Sequence, residues 1–171
     1  MTVFETERLV LRQFTPDDAE FILRLLNEPS FIANIADRGV RTAEEAAAYL
    51  EGGPIRSYAE HGHGLWLVAL KEAEMQPIGM CGLLRREQFD DVDVGYAFLP
   101  EFWSRGYASE AARAALEYGK RALGLTRVIA LVAPHNAGSI RLLEKLGFAF
   151  SHTLQMKPGA PDTAIYVLPE L

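Results

Sequence analysis

The segment from residue 91 to residue 133 constrains the fold more than any other part of the chain. Residues 91–98, "DVDVGYAF", alternate as a strand does. Residues 107–123 carry a long helical pattern, and residues 127–133, "RVIALVA", form a second apolar strand pattern. A strand, a helix and a strand in this order form a βαβ unit, with a right-handed crossover and two parallel strands. The sequence therefore predicts a parallel pair of strands with one helix packed across it.

Further strand patterns lie on both sides of this unit. They occupy 8–14 (RLVLRQF), 65–71 (LWLVALK), 78–85 (IGMCGLLR), 148–154 (FAFSHTL) and 163–168 (TAIYVL). The connections between residues 65 and 98 have hairpin length, which predicts an antiparallel meander. The predicted class is therefore α/β (α+β), with a mixed, mostly antiparallel central sheet of about seven strands around one parallel pair and about four to five flanking helices.

Helix starts are marked by capping residues. Thr15 precedes Pro16 at the first helical position, and Thr42 and Glu45 have the spacing of a capping box. Residues 52–62, "GGPIRSYAEHG", predict a break followed by another short helix. A last helix is expected over residues 137–146.

Size and charge narrow the class of protein. A chain of 171 residues that is 49% hydrophobic can bury the core of one domain, so residues 1–171 are expected to form a single domain. The net charge of −6 comes from interspersed charges, which disfavours binding to nucleic acid. No stretch approaches the roughly 20 apolar residues of a membrane span, and the N-terminus lacks the pattern of an export signal. We expect a soluble, cytoplasmic protein without a membrane partner.

The chain offers little for metal or disulfide chemistry. Cys81 is the only cysteine, so neither an intramolecular disulfide nor a multi-cysteine metal site can form. His61 and His63 flank a glycine without a third ligand in the pattern, which is more typical of a turn than of a metal site. No metal is therefore expected.

The loop at 102–112, "FWSRGYASEAA", predicts an anion site. The first amides of a helix lack intrahelical partners and carry the positive end of the helix dipole. Gly106 and Ala108 leave these amides accessible, Arg105 adds positive charge, and Ser109 adds a small hydroxyl. The alternative is that Gly106 only permits a turn. The chain has neither a nucleoside-triphosphate loop nor the glycine fingerprint of a dinucleotide fold, so these two kinds of phosphate site are excluded and the loop needs support from elsewhere in the sequence.

Two motifs and the element order together resemble one enzyme superfamily. "WSRGYASEA" (103–111) and "NAGSIRLLEKLGF" (136–148) are similar to the general-control-related N-acetyltransferases, or GNAT proteins. "TERLVLR" (6–12) and the longer run "DVGYAFLPEFWSRGYASEA" resemble the RimJ/RimL-like branch, which acetylates the N-termini of ribosomal proteins. The resemblance implies a GNAT fold and acetyl-CoA as cosubstrate. Ser104 stands where the family commonly has glycine.

The resemblance also implies where acetyl-CoA binds. In the family, the strand before the phosphate loop carries a bulge and splays from its parallel neighbour, and pantetheine fills the gap. One N–H of this strand polarises the thioester, and the sequence leaves open which one. The predicted cofactor-binding residues are Ala97, Phe98, Leu99, Arg105, Gly106, Tyr107, Ala108, Ser109, Asn136, Ser139 and Lys145. Asn136 has the alternative role of a helix cap, and Lys145, like Arg141, that of a solvated charge.

Catalytic roles follow from the same comparison. Ser139 matches the serine of N-x-x-S and is the candidate proton donor to the leaving thiolate, although many family members use a tyrosine. The rival phenols are Tyr96, Tyr107 and Tyr166. Asp93 is the candidate general base for the protonated amine, with a solvent-facing strand carboxylate as the alternative. Glu101 and Asp162 are weaker candidates for the base. Because Cys81 lies in an apolar strand, direct transfer is preferred to a covalent intermediate.

The acceptor remains open at this stage. A protein N-terminus and a small-molecule amine, such as a polyamine, an amino acid or an antibiotic, both fit the pattern, as does a non-catalytic acyl-CoA sensor. The resemblance also makes a homodimer plausible. The variable loops expected to select the acceptor are residues 28–40 and 154–162, which carry no recognisable specificity pattern.

Overall fold

An eight-stranded mixed sheet organises the molecule in a computed structural model that describes residues 1–171. Its strands are β1 (Thr2–Glu5), β2 (Leu9–Arg12), β3 (Leu65–Leu70), β4 (Gln76–Leu84), β5 (Val92–Phe98), β6 (Val128–Val132), β7 (Ala149–Gln155) and β8 (Asp162–Leu168). Their order is β1-β2-β3-β4-β5-β6-β8-β7, and every neighbouring pair except β5–β6 is antiparallel. The predicted mixed sheet is confirmed. The expected count of about seven strands missed β1, a four-residue strand that pairs with β2 at the edge of the sheet.

Six α-helices flank the sheet. They are α1 (Ala19–Leu26), α2 (Pro29–Asn34), α3 (Ala43–Leu50), α4 (Arg56–His61), α5 (Tyr107–Leu123) and α6 (Ala137–Lys145). The predicted capping at Thr42 is confirmed, because its hydroxyl accepts the Glu45 N–H at 3.1 Å. The predicted break before α4 is wrong. A π-helical turn over Glu51–Ile55 joins α3 to α4, so these two form one continuous helical body and the helical bodies number five.

The π-helical turn has a physical reason. Pro54 lies inside it, lacks an N–H and cannot continue regular helical hydrogen bonding. Its ring is buried, and burial against neighbouring apolar groups favours a continued helical path over a turn into solvent.

The parallel pair β5–β6 is short and opens at one end. Only two residue pairs align, Val92 with Val128 and Asp93 with Ile129, although β5 continues for five more residues. The expected splay is therefore present. The expected bulge in β5 is not, because β5 pairs with β4 in continuous register from Asp93 to Phe98. Since β5 stays paired with β4 from Asp93 to Phe98, the gap opens on the β6 side of β5.

Helix α5 packs against one face of the sheet and fixes the position of the loop before it. Trp66 is fully buried on this face, where its ring meets those of Phe4 and Tyr118 edge-on at 5.5 and 5.3 Å. Gly119 lets α5 approach β4, since a Cβ there would lie 2.9 Å from a methyl group of Leu83. None of the helices combines the length and apolar character needed to cross a bilayer.

Candidate functional site

The N-terminus of α5 presents unbonded main-chain amides at the end of β5 where the sheet opens. Gly106 caps the helix at φ +83°, a left-handed conformation that favours glycine. Counting from the start of α5, Glu110 is the first residue whose N–H donates a main-chain hydrogen bond, to the Gly106 carbonyl at 3.0 Å. The N–H groups of Tyr107, Ala108 and Ser109 donate to no protein group and form a cluster suited to an anion.

Positive charge accompanies these amides. Arg105 is exposed, and its guanidinium carbon lies 5.8 Å from the centre of the Phe102 ring. Ser104 adopts φ +60°, a conformation that costs a non-glycine residue conformational energy. The glycine common in the family at this position would avoid that cost.

A hydrogen-bond network from the residues just before β2 holds this loop, and no sequence pattern described above predicted it. The Arg8 guanidinium donates from Nε to Glu110 Oε1 at 2.8 Å and from Nη1 to the Arg105 carbonyl at 3.0 Å. Thr6 Oγ1 donates to Glu110 Oε2 at 2.5 Å, and the Arg8 N–H reaches the same oxygen at 3.0 Å. Partial burial would raise the pKa of Glu110, but these hydrogen bonds outweigh it and hold that pKa below its usual value. The only sequence signal was the motif "TERLVLR", which contains Thr6 and Arg8.

The alternating direction of the main-chain N–H and C=O groups along β5 identifies those that face the gap between β5 and β6. The Leu99 N–H donates to the Ile78 carbonyl at 2.9 Å, and the Leu99 carbonyl accepts the Phe102 N–H, so Leu99 has no free main-chain group. Main-chain groups alternate sides along an antiparallel ladder, so those of Ala97 also face β4 and those of Phe98 face away from it. The Trp103 indole N–H reaches the Phe98 carbonyl at 2.9 Å, consistent with this direction.

One expectation for this segment is corrected by these contacts. Leu99 and Ala97 do not offer free main-chain donors to a ligand in the gap, because their N–H groups are directed to β4. Trp103 is 49% exposed and is held over the loop by its bond to Phe98. Among the three predicted main-chain positions, Phe98 alone directs its N–H toward β6.

A hydroxyl pair lies at the N-terminus of α6. Asn136 caps this helix, and its side-chain oxygen accepts the Ser139 N–H at 3.3 Å. Ser139 Oγ lies 2.8 Å from Tyr96 Oη, so the structure brings together the predicted acid and one of its rival phenols. Burial raises the pKa of Tyr96 to about 12, against the opposing effect of its hydrogen bond to Ser139. The phenol is therefore protonated at neutral pH and can donate to Ser139.

Asp93 is buried, which excludes the alternative of a solvent-facing carboxylate. It is 2% exposed, and its Oδ1 accepts the Arg86 Nε–H at 2.9 Å. Burial raises the pKa of Asp93, and the charge and hydrogen bond of Arg86 oppose that effect. Alternation along β5 turns the side chains of Asp93 and Tyr96 to opposite faces of the sheet. The structure thus keeps the candidate base and the candidate acid on different faces, with Asp93 at the closed end of the gap.

The remaining predicted side chains lie outside this cluster of contacts. Glu101 is exposed and forms an ion pair with Arg24, and Asp162 is exposed at the start of β8. Lys145 and Arg141 are exposed on α6 and form no ion pair, as expected of either solvated charges or phosphate ligands.

The aromatic and thiol candidates have packing roles. Tyr107 lies beneath the Arg8 guanidinium, whose carbon is 4.3 Å from the ring centre, and Tyr166 is buried and packs edge-on against Phe150. Cys81 is fully buried, and burial raises its pKa to about 12, so it is neither accessible nor ionised at neutral pH.

Known proteins resemble the chain over nearly its whole length. The profile of the acetyltransferase (GNAT) domain matches residues 8–149. An uncharacterized N-acetyltransferase of Bacillus subtilis, YoaA, is 30% identical over 96% of this chain and 94% of its own. The crystal structure of a GNAT-family acetyltransferase from Bacillus anthracis has 27% identity and a TM-score of 0.80, covering 99% of this chain and 98% of its own. RimL, a ribosomal L7/L12 alpha-N-protein acetyltransferase solved with coenzyme A, shares the fold at 15% identity and a TM-score of 0.84, covering 99% and 98%.

Proposed function

The chain belongs to the GNAT family of N-acetyltransferases, and we propose that it transfers acetyl from acetyl-CoA directly to a primary amine. The first candidate for this amine is a protein N-terminus. The observation that carries the proposal is the set of three unbonded amides at the start of α5, next to a gap between β5 and β6. Residues 1–171 would act as one acetyl-CoA-binding domain.

The residues around the gap fit the parts of acetyl-CoA. The amides of Tyr107, Ala108 and Ser109, with Arg105, would hold the diphosphate, because N–H donors and fixed positive charge at a helix start favour anions. The pantetheine arm would lie along β5 and bond main-chain groups that face β6. Asn136, which caps α6, and Lys145, in the last turn of α6, are proposed to contact the remainder of the cosubstrate.

The proposed chemistry assigns one task to each group. The amine nitrogen attacks the acetyl carbonyl carbon, the C–S bond breaks, and the amine loses a proton. The Phe98 N–H is proposed to bond the developing oxyanion, a position where one fixed donor commonly contributes several kcal/mol. Ser139 would donate its proton to the leaving sulfur and recover one from Tyr96, 2.8 Å away.

Asp93 is the proposed base. Its raised pKa brings it nearer to neutral pH, which suits a group that must take a proton from an ammonium ion. Since it lies on the face opposite Tyr96, the amine would approach from one face of the sheet while the sulfur departs toward the other. Because Asp93 is buried, we propose that the proton reaches it through a relay and not by direct contact with the amine.

The acceptor class rests on the resemblance to the RimJ/RimL-like branch. A small-molecule amine is the alternative within the enzyme class, since both kinds of acceptor present the same nucleophile. A non-catalytic acyl-CoA sensor is the alternative outside it. The sensor predicts thermal stabilisation by coenzyme A without turnover, which separates it from both enzyme hypotheses.

The decisive experiment measures coenzyme A release with a thiol reagent. Purified protein is incubated with acetyl-CoA and a panel of N-terminal peptides, polyamines, amino acids and aminoglycosides, with mass spectrometry of the products. We expect acceptor-dependent release and a mass increase of one acetyl group, largest for a peptide. No release with any acceptor, despite calorimetric binding of coenzyme A, would favour the sensor, and no binding would contradict the proposal altogether.

A second experiment tests the hydroxyl pair. Ser139→Ala is expected to lower kcat by about 100-fold or more, the usual effect of removing a general acid, with little change in KM for acetyl-CoA. Tyr96→Phe should lower kcat less, because the serine hydroxyl remains. Ser151→Ala, an exposed serine on β7, is the matched control and should leave kcat unchanged. Equal activity of Ser139→Ala and wild type would remove Ser139 from the mechanism.

A further inference from the structure

Arg8 bridges the sheet and the loop at the start of α5. The loop follows the C-terminal end of β5, and the turn that contains Arg8 precedes β2, which runs antiparallel to β5. Both segments therefore lie at the same edge of the sheet. The Arg8 carbonyl is anchored there by the Lys71 N–H at 3.0 Å, at the end of β3. The side chain of Arg8 is thus held at its base by the sheet before it reaches the loop.

The Arg8 side chain contacts the three loop residues that lie at the start of α5, Arg105, Gly106 and Tyr107. Nη1 holds the Arg105 carbonyl at 3.0 Å, and the guanidinium lies against the face of Tyr107 at 4.3 Å. Nη2 lies so close to Gly106 that a Cβ there would approach it to 3.2 Å. Three consecutive residues of the loop, Arg105 to Tyr107, are therefore packed against one guanidinium.

Arg8 also controls a charge that opposes anion binding. Glu110 lies in the first turn of α5, where the helix dipole stabilises its carboxylate. The same negative charge repels a second anion bound at the helix start. Arg8 and Thr6 engage both Glu110 oxygens. The hydrogen bond to Glu110 raises the pKa of Arg8 and Glu110 is held ionised, so the two form a neutral pair beside the amides.

We propose that Arg8 is a positioning residue for the diphosphate of acetyl-CoA, which fixes the Arg105–Gly106 turn and neutralises Glu110 without itself taking part in acyl transfer. The inference rests on the proposed acetyl-CoA site and assigns a function to the arginine of "TERLVLR". A lysine in its place keeps the charge but cannot bond the carboxylate and the Arg105 carbonyl at the same time with a planar fork.

The test compares two arginine-to-lysine variants on the same segment. Arg8→Lys is the test, and Arg12→Lys is its control, because Arg12 likewise bonds a carboxylate, that of Asp18, and a carbonyl, that of Gln13, but does not contact the loop. Binding of coenzyme A is measured by calorimetry, and turnover is measured with acetyl-CoA and with S-acetylpantetheine, a thioester that lacks the diphosphate.

Arg8→Lys is expected to raise the Kd for coenzyme A and the KM for acetyl-CoA about tenfold, with kcat within twofold. Its turnover of S-acetylpantetheine should equal that of the wild type. Arg12→Lys should lose thermal stability and keep its affinity for coenzyme A. Hydrogen exchange provides a second measurement in the folded protein, since the amides of residues 104–109 should exchange faster in Arg8→Lys than in Arg12→Lys.

Three results would overturn the inference. These are wild-type affinity for coenzyme A in Arg8→Lys, equal losses with both thioesters, or the same loss of affinity in Arg12→Lys. All three require a wild-type protein that binds coenzyme A, so they are distinguishable from failure of the proposed function, in which the wild type itself does not bind.

Discussion

Replacing Gly106 with alanine tests the geometry of the helix start directly. Gly106 has φ +83°, where a residue with a side chain is strained by about 1–2 kcal/mol. Alanine also lowers the entropy of the unfolded chain, which offsets roughly 0.4–1 kcal/mol. The backbone effect alone is therefore a net loss of about 1 kcal/mol in the free energy of unfolding.

Contact with Arg8 adds to this cost. The new methyl group would lie 3.2 Å from Arg8 Nη2, so the guanidinium must shift by a few tenths of an ångström, which weakens the bond from its Nη1 to the Arg105 carbonyl. A hydrogen bond of this kind contributes roughly 0.5–1.5 kcal/mol in full, so the expected loss is at most about 2 kcal/mol. If the shifted loop loses one charge-assisted bond to a phosphate, worth roughly 1.5–3 kcal/mol, affinity for coenzyme A falls about 10- to 100-fold.

Gly124→Ala is the matched control at the other end of α5. Gly124 has a similar φ of +67°, but a Cβ there meets nothing within 4 Å. It should lose about 1 kcal/mol of stability through the same backbone strain and keep full affinity.

The assay pairs urea unfolding with calorimetric titration of coenzyme A for both variants. Equal affinities in Gly106→Ala and Gly124→Ala would refute the assignment of the α5 amides. Equal stabilities would refute only the contribution of Arg8.

Two further predictions concern the same region. Because Ser104 has φ +60°, Ser104→Gly should be about 1 kcal/mol more stable than Ser104→Ala in urea unfolding and should still bind coenzyme A, whereas equal stabilities would show that the turn is not strained. The pKa of Glu110 is lowered in the folded protein, so the stability it contributes is present above its unfolded pKa near 4.5 and is lost as the pH falls through the lower folded value. Unfolding measured from pH 7 to pH 3 should therefore show a smaller acid-induced loss in Glu110→Gln than in wild type, and parallel curves would contradict this linkage.

Local patterns were sufficient for most of the fold. The βαβ unit at residues 91–133 and the cap at Thr42 depend on side-chain periodicity and on hydrogen bonds between near neighbours, and both can be inferred from a few consecutive residues. The missed strand β1 and the π-helical turn at Glu51–Ile55, where a break was predicted, have a different origin. A four-residue edge strand has too little pattern to detect, and the two glycines before Pro54 favour a break locally that tertiary packing overrides.

The features of the site likewise fall into those that consecutive residues determine and those that depend on contacts distant in sequence. The anion site before α5 could be inferred because a helix start creates it from consecutive residues. The direction of the Phe98 N–H required the register of β5 against β4, which no local pattern contains. Arg8 and Glu110 are 102 residues apart in sequence, and the partner of Asp93, Arg86, lies on a loop without a periodic pattern. Such contacts depend on the assembled sheet. Local sequence patterns therefore predicted the loop before α5 but not the role of Arg8, which supports that loop.

The short pairing of β5 with β6 has a consequence for the lifetime of the protein. Within the sheet, only two aligned residue pairs of the β5–β6 ladder join five strands on one side to three on the other, so a thioester bound in the gap would add contacts between the two parts. A ligand present at 100 times its Kd adds about 2.7 kcal/mol to the free energy of unfolding. We therefore expect the abundance of this protein to follow the supply of acyl donor, because the protein without ligand has a larger unfolded fraction that proteases can degrade.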